Sequence, residues 1–117
     1  MLPKFKRLNL TKDFKWVSSG KKIETKFLKI FIRMGDNHPP AGGPRIGIAV
    51  SGKSFKKATD RNRARRLASQ AFESVYNQLP KRVNIIALPK YGVLSVKSGD
   101  ILLDLEEGLK REGILRY

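Results

Sequence analysis

The chain has 117 residues, with 25 Lys or Arg against 10 Asp or Glu, a net charge of +15 and no cysteine. Its length and its 40% apolar content supply one modest core in one domain, residues 1–117, not two. The absent cysteines exclude disulfides and thiolate zinc sites and fit a reducing cytoplasm, while the charge points to a polyanionic partner.

The first predicted element is a short helix over Thr11–Ser19. Thr11 is placed to cap it, Asp13 lies in its first turn and Gly20 stops it. Phe14 and Val17 share a face, so Phe14 is a candidate for either core or binding cleft. Trp16 lies off that face. Thr25–Met34 alternates as a strand, with Phe27, Lys29, Phe31 and Arg33 on one side and Leu28, Ile30 and Ile32 on the other. The Pro- and Gly-rich stretch 35–44 reads as a loop and holds the single histidine, His38. Arg45–Ser51 is a second strand. A long helix opens at Lys57 or Ala58 and runs to Leu79, with Thr59 or Asp60 as candidate caps and Pro80 beyond its end. Val83–Leu88 is a buried strand by its β-branched content. Ser98–Arg111 is a last helix, with Ile101, Leu102, Leu105 and Leu109 on one stripe. The order is α-β-β-α-β-α. A strand, a crossover helix and a strand in succession predict a parallel pair in the sheet.

Charge is unevenly spread over these elements. Met1–Lys29 carries nine basic residues and two acids, Lys53–Arg66 seven and one, and Gly99–Tyr117 three and five. The polyanion surface is therefore built from the first two segments. No apolar run reaches membrane-spanning length, and Asp13 and Glu24 argue against a targeting segment in the basic N-terminal stretch.

Lys53, Lys56, Lys57, Arg61, Arg63, Arg65 and Arg66 crowd the start of the long helix. On a helical wheel Ala64, Leu67, Ala68, Ala71, Phe72, Val75 and Leu79 form the apolar arc, with Asn62, Arg66, Ser69, Gln70, Glu73 and Asn77 opposite. Arg61 and Arg65 sit at the edge of that arc, so their stems can lie along the core while their heads reach out. Arg63 and Arg66 point to solvent. Four arginines at the positive end of a helix dipole oppose helix formation, and a bound anion offsets that cost. Guanidinium groups also fork onto phosphate oxygens.

Chemistry of the protein's own is poorly supplied. Nothing in the sequence supports His38 as a general base with an orienting partner, and it reads as an exposed loop histidine. Asp104, Glu106, Glu107 and Glu112 belong to a helix with its own packing stripe, and no spacing resembles a carboxylate metal site. Gly42-Gly43 is a turn, since no helix start follows it. Of the acids, only Asp13, Glu24 and Asp60 lie near the basic segments. Aromatics beside cations are better represented, as single-stranded RNA recognition requires. Phe14 and Trp16 lie among Lys12, Lys15, Lys21 and Lys22, and Phe27 and Phe31 alternate with Lys29 and Arg33.

Arg61-Asn62-Arg63, followed by Arg65-Arg66-Leu67 and Gln70-Ala71-Phe72, resembles the Arg-Asn-Arg helix of the bacterial ribonuclease P protein family. The likeness extends over nearly the whole chain. It includes Pro3-Lys-Phe-Lys-Arg-Leu8 with Lys12-Asp13-Phe14, Arg45-Ile-Gly-Ile-Ala-Val-Ser51 with Lys53, and Val83-Asn-Ile-Ile-Ala-Leu88. Ser18 and Ile30 stand where the family often carries cleft aromatics, and the resemblance then implies stacking by Trp16 or Phe31 instead.

The resemblance implies an α/β sandwich of order α-β-β(-β)-α-β-α, with a central mixed sheet and a left-handed βαβ crossover. It implies a subunit that binds the catalytic RNA through Lys53, Lys56, Lys57, Arg61, Asn62, Arg63, Arg65 and Arg66. Lys12, Phe14, Lys15, Trp16, Phe27, Lys29 and Phe31 would contact the single-stranded 5′ leader of precursor tRNA. Cleavage would belong to the RNA subunit, with Mg2+ held through RNA and no cofactor bound by the protein. No membrane and no protein partner would be needed. A small ribosomal-type RNA-binding protein shares the composition, and a protein-only nuclease is disfavoured by the missing acid–base set.

Overall fold

Asn9 opens the first helix. In the structure, a computed structural model that describes residues 6–35 and 43–115, its side-chain oxygen accepts from the amides of Thr11 and Lys12 at 3.1 and 3.3 Å. Helix α1 therefore spans Leu10–Ser18, and Thr11 sits inside it rather than capping it. His38 lies outside the described residues.

Strand β1 is Lys21–Glu24 and β2 is Leu28–Met34. The strand expected from Thr25 starts later because Thr25–Phe27 form the turn between the two. The Thr25 hydroxyl accepts from the Leu28 amide at 3.0 Å, and the Asp104 carboxylate accepts from the Lys26 and Phe27 amides at 3.1 and 2.9 Å. Strand β1 has one apolar residue, Ile23, and so little periodic signal. It is an edge strand whose exposed Lys21, Lys22 and Glu24 discourage further pairing.

Strand β3 is Arg45–Ile48, helix α2 is Ala58–Val75, strand β4 is Val83–Pro89 and helix α3 is Ser98–Arg111. The sheet order is β1-β2-β4-β3. The first two pairings are antiparallel and β3–β4 is parallel, so α2 is the crossover of a βαβ unit. Arg7 bridges Ile46 on the outer edge of β3, where the Leu8 amide donates to the Ile46 carbonyl at 3.1 Å.

The pleat divides the core. Leu28, Ile30, Ile32, Ile46, Val83, Ile85 and Ala87 pack on α2 and α3. Ile86 on the other face joins Val17 and Leu8, with Leu10, Trp16, Phe31 and Leu88 around them. The result is three layers: α1, a mixed sheet, and α2 with α3. This is the α/β sandwich, with the extra strand present.

Two expectations for α2 need correction. Ser69, assigned to solvent, is buried. The helix is covered by α3 and by a 3-10 turn at Tyr91–Ser95 as well as by the sheet, so its buried arc is wider than one stripe. Neither Thr59 nor Asp60 caps it. The N-cap is Lys57, with no side-chain cap bond, and Asp60 lies in the first turn.

Glycines let α1 lie flat on the sheet. A Cβ on Gly47 would stand 2.6 Å from the Leu10 Cδ2, and one on Gly20 would run into the carbonyl oxygen of Ile32. A side-chain tip can swing aside, whereas a backbone carbonyl in a sheet cannot. Gly20→Ala should therefore destabilise the fold by about 1–3 kcal/mol. A melting temperature equal to that of the parent protein would refute the close-approach argument.

Candidate nucleic-acid interface

After β3 the chain keeps one more sheet bond, Ala49 amide to Ala87 carbonyl at 3.0 Å, and then departs. The departing loop is short of internal bonds: the Lys53 amide donates to the Ser51 hydroxyl at 3.1 Å, and the Phe55 amide to the Ser51 carbonyl at 3.0 Å. What fixes it is Phe55, whose side chain is fully buried in the main core. Its neighbours Lys53, Ser54, Lys56 and Lys57 are all exposed. One apolar plug thus holds a cationic loop against the start of α2. Phe55 leaves no mark in the sequence, because a lone Phe among lysines has no period to reveal it.

Arg61 completes the attachment. Its Nη1 donates to the Phe55 carbonyl at 2.8 Å and to the Lys56 carbonyl at 3.1 Å. Arg65 Nη1 donates to the Asn62 side-chain oxygen at 3.2 Å. Arg61 and Arg65 are half-buried, while Asn62, Arg63 and Arg66 are exposed. Edge positions carry stems along the core and outer positions face water, as the wheel predicts. With the uncapped N-terminus of α2 and only Asp60 as a local acid, the region concentrates positive potential on a rigid element.

A second basic surface lies on the other side of the sheet. Lys12 and Lys15 are exposed on α1, and Lys29, Phe31 and Arg33 line the α1-facing side of β2, all half-buried. Phe14 is 36% exposed, which removes it from the core. Residues two apart on a helix point about 200° apart, so Phe14 and Trp16 leave α1 on opposite flanks and form no single stacking wall. Trp16 is half-buried against the Val17–Ile86 cluster, and the Arg33 guanidinium lies 4.8 Å from its ring centroid. Arg33 Nη1 also donates to the Trp16 carbonyl at 3.1 Å and to the Ser19 hydroxyl at 2.7 Å. Trp16 and Arg33 thereby join α1 to β2.

Phe27 is the clearest departure from the expected cleft. It stands in the β1–β2 turn, packs against the α2/α3 core and accepts the Lys90 amide on its carbonyl at 2.8 Å. Strand alternation placed it beside Phe31, but the strand begins only at Leu28.

The acids near these surfaces are dispersed. Asp13 is buried in α1. Glu24 pairs with Lys90 at 3.2 Å, and that ammonium holds its carboxyl below the ordinary carboxylate value. Glu112 is lowered likewise by Lys21, at 2.7 Å. Stability from both pairs is present above the usual carboxylate range and is lost as pH falls below it; both are surface pairs of small worth. Among the described residues no three His, Asp or Glu side chains gather as a metal would require, and no helix is long and apolar enough to cross a membrane.

The sequence profile of the Ribonuclease P family matches residues 2–113. The chain belongs to the ribonuclease P protein family. It is 30% identical over 95 residues to the ribonuclease P protein component of Nitrosococcus oceani, covering 80% of this chain and 76% of that one. Against the component from Chromohalobacter salexigens the identity is 35% over 94 residues, covering 78% and 69%. The match to the Pseudoalteromonas atlantica component is shorter, 32% over 74 residues, and spans 61% of that protein's length. With the Thermotoga maritima RNase P protein the fold superposes at a TM-score of 0.75 and 26% identity, over 90% of this chain and 96% of that one. The Staphylococcus aureus RNase P protein gives 0.76 at 20% identity, over 95% and 98%, a likeness of fold. The ribonuclease P motif quoted from the sequence falls on the first turns of α2, on the surface that Phe55 and Arg61 organise.

Proposed function

We propose that this chain is the protein subunit of ribonuclease P and acts as a single RNA-binding domain. In this reading it binds the catalytic RNA through Lys53, Lys56, Lys57 and the Arg61–Arg66 segment. It holds the single-stranded leader of precursor tRNA on the α1 side of the sheet, where Phe14, Lys12, Lys15, Lys29 and Phe31 lie. The observation that carries the reading is the cation cluster on a plugged, rigid helix start in a chain of this family. Arg61 enters as a positioning residue, since two carbonyls of the cationic loop occupy its Nη1. Removal of the leader to leave the mature 5′ end belongs to the RNA subunit. Magnesium is a cofactor of the RNA in this scheme, and no step is assigned to it through protein side chains. The assembly works in the cytoplasm and needs no further protein.

The test is cleavage of precursor tRNA at limiting magnesium by a bacterial ribonuclease P RNA, with and without this protein. Cleavage should rise only when both are present. Cleavage by the protein alone, or no gain on adding it, would overturn the proposal. Binding should also be steeply salt-dependent, because neutralised phosphates release condensed counterions. A plot of log binding constant against log salt should fall with a slope of several units, roughly one per phosphate contacted; a flat line contradicts an electrostatic interface.

A further inference from the structure

Tyr91 lies two residues past the end of strand β4, in the 3-10 turn Tyr91–Ser95, and is 56% exposed. Its backbone is locked from both sides. The preceding Lys90 donates its amide to the Phe27 carbonyl at 2.8 Å and its ammonium to the Thr25 carbonyl at 2.8 Å. The Val93 amide returns to the Lys90 carbonyl at 3.1 Å, and Val93 is fully buried. The ring of Tyr91 lies against Phe55, with centroids 5.4 Å apart and planes tilted by 32°. Phe55 is the buried plug of the cationic loop, and its chain neighbours include Lys53, Lys56 and Lys57. The turn also packs on α2. A large aromatic surface is thus held rigid, open to solvent, against the plug of the cationic loop.

A lone exposed tyrosine would carry no argument. One supported by the buried ring of that loop has the two components of single-stranded RNA recognition, a π-face and phosphate-binding cations. The surrounding charge disfavours a basic peptide as the occupant. We propose that Tyr91 is a stacking platform for an unpaired base of the catalytic RNA, next to the phosphate contacts made from α2. The proposal rests on the reading of this chain as a ribonuclease P subunit. It adds a contact that the arginine-rich motif does not contain.

The experiment compares Tyr91→Ala, Tyr91→Leu and Tyr91→Phe in titrations with a bacterial ribonuclease P RNA. Leu keeps the cover over Phe55, which guards against a merely structural loss. Ala and Leu should weaken assembly about 5- to 50-fold, and Phe should stay within about twofold of the parent. The salt slope should be unchanged in all three, since no cation is removed. Chemical probing of the RNA should show one unpaired nucleotide protected by the parent and by Phe but reactive with Ala. Parent-like binding by all three variants overturns the platform. So does a loss in Phe equal to that in Ala, which would mark a hydroxyl contact instead. Either result leaves the subunit reading intact. That reading fails separately if the parent prefers the catalytic RNA no more than an unrelated RNA of equal length.

Discussion

Arg61→Ala should weaken binding to ribonuclease P RNA by about 1–3 kcal/mol, more than Arg66→Ala does. The reason is position rather than charge. Arg66 is exposed, so on the proposed RNA interface its removal should cost one phosphate contact and lower the salt slope by about one. Arg61 is half-buried and spends Nη1 on the carbonyls of Phe55 and Lys56. Its loss removes a cation and also frees the loop that presents Lys53, Lys56 and Lys57. Arg61→Lys separates the two effects. An ammonium restores the charge, but it sits on a shorter and more strongly hydrated head than the guanidinium whose Nη1 reaches both carbonyls, so the affinity should recover only in part. Two measurements check this: a binding titration at several salt concentrations, and thermal melts to confirm that each variant is folded. Equal losses in Arg61→Ala and Arg66→Ala would show that Arg61 is one cation among several and not the tie of the loop.

The parts legible in the sequence were those with a period or a dense composition. α2 and α3 emerged from apolar spacing, β4 from its β-branched content, and the arginine cluster from its count alone. The arc rule placed Arg61 and Arg65 half-buried and Arg63 and Arg66 in water, as the structure has them. What escaped lacks a periodic signal. Strand β1 offers one apolar residue in four. Asn9 caps α1 where the sequence points to Thr11, two residues on, and only backbone geometry decides which residue stands outside the helix. Ser69 is buried on a helix that α3 and the turn at Tyr91–Ser95 cover as well as the sheet, and both lie far along the chain. Phe27 was assigned by alternation, but Asp104 accepts the amides of Lys26 and Phe27 and turns the chain there. Local spacing cannot register a carboxylate from a helix 77 residues away. Phe55, Arg33 and Tyr91 share this character. Each is an unremarkable residue in its own segment, and each gains its role from a partner on another element.

Phe14 separates the two readings that spacing with Val17 left open. Had its ring been core, Phe14→Ala would cost roughly 3–5 kcal/mol of stability. At 36% exposure the melting temperature should change little, and the effect should appear in binding instead. On the proposed leader surface, Phe14→Ala should weaken holoenzyme affinity for precursor tRNA by about 1–3 kcal/mol, the worth of one base stacked on an aromatic ring. Mature tRNA has no leader, so its affinity should be nearly unchanged. Trp16→Leu should behave differently. Trp16 packs on the Val17–Ile86 cluster and carries Arg33 over its ring. Its loss should lower the melting temperature and affect both ligands only through the folded fraction. The two variants therefore assign opposite roles to neighbouring aromatics on one helix. Equal losses for precursor and mature tRNA in a well-folded Phe14→Ala protein would remove Phe14 from the leader surface. A selective loss for precursor tRNA in Trp16→Leu would mean that the leader lies on the Arg33 flank of α1 instead.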